Sequence, residues 1–345
     1  MIPIQNIYYM LSYAFQVLNE QGYKNIATEQ FHNTAELMAA ILEKGIAIQL
    51  KRGLGKEYIL QTEALSSLRG KIDIAESIKT QSMLRKQLIC TYDEFSVNSI
   101  MNRIIKSTVE LLLRSNISKQ RKKNLRKLMV YFSEVDFIDL YTVNWNVQYN
   151  RNNQTYRMLI SICYLVVKGL LQTQSNGHTE LMDFLDEQRM CRLYEKFILE
   201  YYRKEFKNQF TANASQIPWQ LDNEENSMLP VMQSDIMLQS GEKVLIIDAK
   251  YYEHSTQVQF DKHTLHSGNL YQIFTYVKNK EYELREKNHT VSGMLLYAKT
   301  DEEIYPNNVY QMSGNQITVR TLDLNLPFDE IAGQLNTIAK THFDL

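Results

Sequence analysis

The segment KVLIIDAK (243–250) runs a set of aliphatic residues straight into an acid and a base two positions apart, Asp248 and Lys250. A second acid, Asp235, opens the preceding aliphatic segment SDIMLQ (234–239), and SGE joins the two. If Gly241-Glu242 is a two-residue hairpin loop with glycine first, the type II′ pattern, Ser240 pairs with Lys243 and Asp235 falls opposite Asp248. Directly opposed residues project to one sheet face with Cβ atoms about 5 Å apart. Lys250 shares that face by the strand's period of two. Two carboxylates and an amine then converge at one end of a buried hairpin. Opposed like charges repel and call for a cation, and two carboxylates with room for water suit Mg²⁺, which keeps several waters and borrows phosphate oxygens. The metal would polarise a phosphodiester and lower the pKa of a bound water, while the lysine orients the nucleophile or steadies charge on the phosphate. A surface ion pair of Asp248 with Lys250 is the bland alternative. The matched acid on the neighbouring strand and the aliphatic run before Asp248 argue against it.

These residues need a rigid frame. CRLYEKFILEYYRKEF (191–206) is expected to be a helix, 234–239 and 243–248 strands, NLYQIFTYVKNK (269–280) a helix and VSGMLLYA (291–298) a buried strand. Residues 309–323 read as a hairpin and 327–341 as a final helix. This order predicts a mixed sheet covered on both faces. Upstream, residues 4–19 carry helical periodicity. GIAIQL (45–50), EYILQ (57–61), RGKIDI (69–74) and QLICTYD (87–93) read as short strands of a small antiparallel sheet or barrel. NRIIKSTVELLLRS (102–115), KQRKKNLRKLMVYF (119–132) and YRMLISICYLVVKGLL (156–171) read as helices. QTQSNGHTE (172–180) is the best linker.

At 345 residues and 44% hydrophobic the chain can fill two cores. Lys plus Arg (38) nearly balance Asp plus Glu (39), so any basic surface is local. Three scattered cysteines, Cys90, Cys163 and Cys191, in no CxxC pair point to reduced thiols rather than a disulfide framework or zinc site. Residues 1–15 lack a signal peptide's basic leader and cleavage site, and no run is long enough to cross a bilayer, so the cytoplasm is expected.

The arrangement S-D(235)…D(248)-A-K(250) resembles the PD-(D/E)xK nuclease superfamily, with Ser234 in place of the proline. The resemblance implies an α/β nuclease domain with a mixed sheet flanked by helices. It also implies an additional acid near the metal on the preceding helix, here Glu195 in LYEKF, and a site-bracing glutamine on the following helix, here Gln272 in NLYQIFTY. Asp235, Asp248 and Glu195 would then hold Mg²⁺. More closely, IPIQNIYYMLSYAF, NRIIKST, LYEKF, DAKYY and HSGNLYQ occur in order and are similar to the McrC family of the McrBC modification-dependent restriction system. That resemblance implies a DNA endonuclease subunit working with McrB, a ring-forming AAA+ GTPase that reads 5-methylcytosine in double-stranded DNA and binds the GTP. It implies an α+β N-terminal domain, 1–175, engaging the ring, and an endonuclease domain, 176–345. The chain has no G-x-x-x-x-G-K-[ST] loop, so nucleotide energy would come from the partner.

The basic run KQRKKNLRK (119–127) reads most simply as a solvated helix face, with contact to DNA or an acidic partner as the sharper alternative. His254, His263 and His266 lie near the expected site without a metal-ligand pattern. Doubled tyrosines suit packing. Two competing functions remain open at this level: a GTPase-ring activator with minor or lost cleavage, and a stand-alone repair nuclease.

Overall fold

A computed structural model describes residues 2–15, 18, 23, 26, 29, 31–151, 153–175, 187–223, 228–252, 257–259, 262–299 and 305–345. The chain divides into two compact units, Met1–Phe31 with Asp183–Leu345, and His32–Met182. No helix among the described residues is long and apolar enough to cross a membrane.

Helix α1 (Ile4–Ala14) stops short of the expected residue 19; the Phe15 N–H closes its last turn on the Leu11 carbonyl. It belongs to the unit of the C-terminal half, so the physical division differs from the expected 1–175 and 176–345 at this end. The cause is specific packing. Asn6 donates to the carbonyls of Leu324 (2.7 Å) and Leu326 (2.8 Å). Tyr9 stacks on Phe328 at 4.5 Å, and the Tyr13 hydroxyl donates to Glu205 at 2.9 Å.

The 32–182 unit begins with α2 (Thr34–Arg52), which corrects the expected strand at 45–50. Its isoleucines suggested a strand, yet the Asn33 side chain caps the Glu36 N–H, and Leu37, Met38, Ile41, Leu42 and Ile46 form a buried helical stripe. Gly53, at φ +89°, ends it. Strands β1 (Glu57–Leu65), β2 (Lys71–Asp73) and, after α3 (Ile74–Lys79), β3 (Leu88–Ser96) form the expected antiparallel sheet in the order β1-β3-β2. Helices α4 (Ile100–Arg114), α5 (Lys119–Met129) and α6 (Tyr156–Ser175) follow. Residues 172–175 of the expected linker close α6, and 176–180 lie outside the described residues. Asn102 of the NRIIKST motif is fully buried and donates to the carbonyls of Gly55 (2.9 Å) and Val97 (2.8 Å). The Tyr156 hydroxyl donates to Asn102 Oδ1 (2.8 Å) and accepts from the Gly55 N–H (2.7 Å), tying the entrance to β1 and the exit of β3 to α4 and α6.

In the other unit, α7 (Glu187–Glu205) leads into β4 (Thr211–Asn213), the short pair β5 (Gln216–Ile217) and β6 (Met232–Gln233), then β7 (Ile236–Ser240) and β8 (Lys243–Lys250). Strands β9 (Gln257–Gln259) and β10 (Lys262–Thr264) form a small hairpin before α8 (Ser267–Glu283). Strand β11 (Thr290–Ala298), β12 (Asn308–Met312), β13 (Asn315–Leu322) and α9 (Phe328–Phe343) complete the unit. The six-stranded sheet runs β12-β13-β11-β8-β7-β4. It is mixed as expected: β11 is parallel to β8 and β13, and the remaining pairs are antiparallel. Helix α8 makes the crossover from β8 to β11 and packs on a core of Val244, Ile246, Val291, Leu295 and Ile317 through Ile273 and Val277. Gly293 permits this approach, since a Cβ there would lie 2.8 Å from both Ile273 Cγ1 and Val277 Cγ2.

Candidate active site at the carboxyl end of β8

The β7–β8 hairpin has the register derived from its turn chemistry, with Ser240 opposite Lys243 and Ile236 opposite Ile247. Of the two loop residues, Gly241 alone has a positive φ (+55°), as a type II′ loop requires. Val244 to Ala249 are all buried, so both faces of β8 are covered. Val244 and Ile246 face α8, and the period of two carries Asp248 and Lys250 to that same face where the aliphatic run ends. Asp235 stands one residue before β7, and its Oδ2 accepts the Ala249 N–H at 2.9 Å, prolonging the ladder through a side chain. Ser234 secures this entry. It is 1% exposed, its N–H and its hydroxyl both donate to the Ser215 carbonyl (3.0 and 3.1 Å), and its Oγ accepts the Ser215 N–H. A proline here would have no N–H to give.

Asp248 is 1% exposed. Lys250 Nζ lies 2.8 Å from its Oδ2 as an ion pair, but neither carboxylate oxygen has a partner in hydrogen-bond geometry. Burial pushes the Asp235 carboxyl up from 3.8 to about 8; the charges of Asp248 and Glu195 add to the rise, while the Ala249 N–H and Lys250 oppose it. Burial also raises Asp248, against the pull of the Lys250 ammonium. For Lys250 burial acts downward, and Asp248 with Asp235 outweighs it, leaving the ammonium firmly charged. Near neutral pH the pair of acids therefore holds a proton between them and one cation beside them. A cation that enters such a site replaces the shared proton.

Lys250 Nζ donates to Gln272 Oε1 at 3.2 Å, and Gln272 Nε2 donates to the Tyr276 hydroxyl at 2.9 Å. Gln272 thus fixes the amine from α8. Glu195, on α7, is raised chiefly by burial, with Lys250 pulling it down and Asp248 pushing it up, so it lies within the field of the same pair. The Cys191 thiol, one turn earlier, donates to Glu195 Oε1 at 3.0 Å and is pushed up to about 12, first by burial and then by that bond. All five residues singled out from sequence, Asp235, Asp248, Lys250, Gln272 and Glu195, thus belong to one interacting group. His254 and the side chain of His263 lie outside the described residues. His266 sits at the start of α8, its ring 5.4 Å from Tyr252.

Sequence reasoning missed three supports. Cys191 orients Glu195. Asn269 donates to the Tyr297 hydroxyl at 2.9 Å and accepts from Tyr252 at 3.4 Å. Tyr297 is the β11 partner of Lys250 in the parallel register, so only the strand pairing could have exposed it. Among the described residues, no three His, Cys, Asp or Glu side chains cluster tightly enough to cage a metal unaided.

Comparison with known proteins places the chain. A family described as McrBC 5-methylcytosine restriction system component matches residues 5–298. The type IV methyl-directed restriction enzyme EcoKMcrBC of Escherichia coli (strain K12) is 29% identical over 330 residues, covering 94% of this chain and 93% of that protein. A solved half-complex from a tetradecameric assembly of Thermococcus gammatolerans McrB AAA+ hexamers with bound McrC covers 97% of this chain and 76% of the matched one. Its 18% identity and TM-score of 0.50 make it a likeness of fold. With a match of this extent, running through both compact units, the chain belongs to the family of McrBC 5-methylcytosine restriction system components.

Proposed function

We propose that the chain is the DNA-cleaving subunit of a modification-dependent restriction complex, a Mg²⁺-dependent phosphodiesterase of the PD-(D/E)xK type. The observation that carries this reading is Asp248, 1% exposed, its carboxylate met by the Lys250 ammonium at 2.8 Å and lying beside a second buried acid, Asp235. The donor set fits magnesium, which is commonly held by one or two carboxylates and completes its shell with water and phosphate oxygens. Asp248 and Asp235 would hold it, with Glu195 as an additional acid. When bound, the ion supplies Lewis-acid polarisation of the phosphodiester and a more acidic water.

The chain's own groups do the rest. Lys250, kept charged by the two aspartates and aimed by Gln272, presents N–H donors to a phosphate oxygen or to the attacking water. Asp235, whose carboxyl titrates near neutrality, is suited to exchange its proton for a cation. Glu195, held by Cys191, lies within the field of Lys250 and Asp248 and would supply an additional acidic oxygen. The partner in this reading is a McrB-type AAA+ GTPase ring, the assembly named for the T. gammatolerans relative, and the substrate is double-stranded DNA carrying methylated cytosine, in keeping with the family description. The test is Asp248→Ala in the full chain combined with the GTPase partner. Cutting of methylated duplex should disappear while stimulation of GTP hydrolysis persists; undiminished cutting would end the assignment.

A further inference from the structure

Helix α5 breaks an electrostatic rule. Its first turn carries no acid, and Lys119, Arg121, Lys122 and Lys123 crowd the end where the helix dipole is positive. The helix holds no Asp or Glu at all, in a chain whose net charge is −1. One cation is spent internally. Arg121 pairs with Glu43 (2.9 Å) and Glu36 (3.3 Å) of α2. Asn124 donates to Glu43 (2.9 Å), and Glu36 accepts the Ser118 N–H (2.7 Å) and hydroxyl (2.9 Å). Those two acids, with fully buried Leu125, clamp one side of α5 in place. They are then consumed. Among the described residues, Lys119, Lys122, Lys123, Arg126 and Lys127 form no ion pair, and all but the half-exposed Lys122 are exposed. Glu110 of α4 is paired with Arg114 at 3.1 Å.

We propose that this face of α5 grips the phosphate backbone of duplex DNA, a contact that rests on the reading of the complex as acting on DNA. Lys119, Lys123 and Lys127 recur at i,i+4, about 6 Å apart along the helix, and like charges at that spacing repel one another. A single acidic side chain relieves one such clash. A polyanion with a charge every 3.4 Å per strand relieves the whole row together. Lysines on a solvated face read no sequence and serve position and affinity, which suits a subunit other than the one that recognises the modified base.

The test uses the full chain in complex with its GTPase partner on methylated duplex DNA. Affinity is measured across salt concentrations for the wild type, for Lys123→Gln/Arg126→Gln/Lys127→Gln, and for the charge-keeping Lys123→Arg/Lys127→Arg. Each lost phosphate contact lowers the slope of log K against log salt by about 0.9. The neutralised variant should therefore lose between about 2 and 3 from the slope, the charge-keeping variant almost nothing, and GTPase stimulation should be unchanged. An unchanged slope overturns the proposal. So does weakened partner association with an unchanged slope, which would make the face a contact for an acidic protein surface. Loss of cutting in Asp248→Ala is read separately from the salt slope of the α5 variants, so failure of the cleavage reading and failure of this contact are separately visible.

Discussion

Asp235 offers a quantitative test of the site without DNA or partner. Its carboxyl is held at about 8 in the folded chain, against an ordinary 3.8, because burial and the Asp248 charge disfavour ionisation. A group raised in the folded state binds its proton more tightly there than when unfolded. Its contribution is therefore fully present in acid and is lost as pH climbs from 3.8 towards 8. Each unit within that window is worth about 1.36 kcal/mol. Between pH 6 and pH 8, with the curve flattening near the upper end, the metal-free chain should lose about 2 kcal/mol through this one carboxyl. Asp235→Asn removes the titration and keeps the shape, so the variant should gain about 2 kcal/mol on the wild type over that interval. Urea unfolding of both chains in EDTA at pH 6 and pH 8 measures the difference. Parallel behaviour of the two proteins would refute the claim that buried, mutually repelling acids define the site.

Three further outcomes follow from the same structure. Adding Mg²⁺ at pH 8 should raise the unfolding midpoint of the wild-type full chain and leave Asp248→Asn unmoved, since a ligand stabilises only the state that binds it. Gln272→Ala should lower kcat by an order of 10² with little change in KM for DNA, because it frees the Lys250 ammonium rather than removing it. Gly293→Ala should cost about 1–3 kcal/mol in unfolding experiments by driving a methyl into Ile273 and Val277, a loss absent from an exposed glycine substitution such as Gly333→Ala.

The hairpin at the centre of the site was legible because two independent signals agree: a Gly-first loop fixes the register, and the aliphatic run fixes which elements are buried. The strand expected at 45–50 rests on two isoleucines taken without the frame of α2. Asn33 and Gly53 bracket it, and the buried stripe spans several turns. Local residue preference lost there to periodicity over a longer window. Strands β4, β5 and β6 are two or three residues long and exist through their partners, which leaves little local pattern. Cys191, Asn269 and Tyr297 support the site from separate elements, so their roles are set by packing and not by spacing. Ser234 stands where the superfamily pattern has proline, and nothing in its spacing reveals a role. Its three hydrogen bonds with Ser215 make it the fastening that presents Asp235.

The membership of α1 in the same compact unit as β4 to α9 means that this unit is assembled from two stretches of polypeptide with a whole second unit inserted between them. On the ribosome, the opening helix must wait for more than a hundred and fifty residues to emerge before its partners on α7 and α9 exist. A shortened protein beginning at residue 183 would expose the Phe328 ring and leave the Leu324 and Leu326 carbonyls without their Asn6 donor. Separating the two compact units by cutting the gene in half is thus the wrong operation. Excising 32–182 and rejoining the flanks respects the way the chain is built.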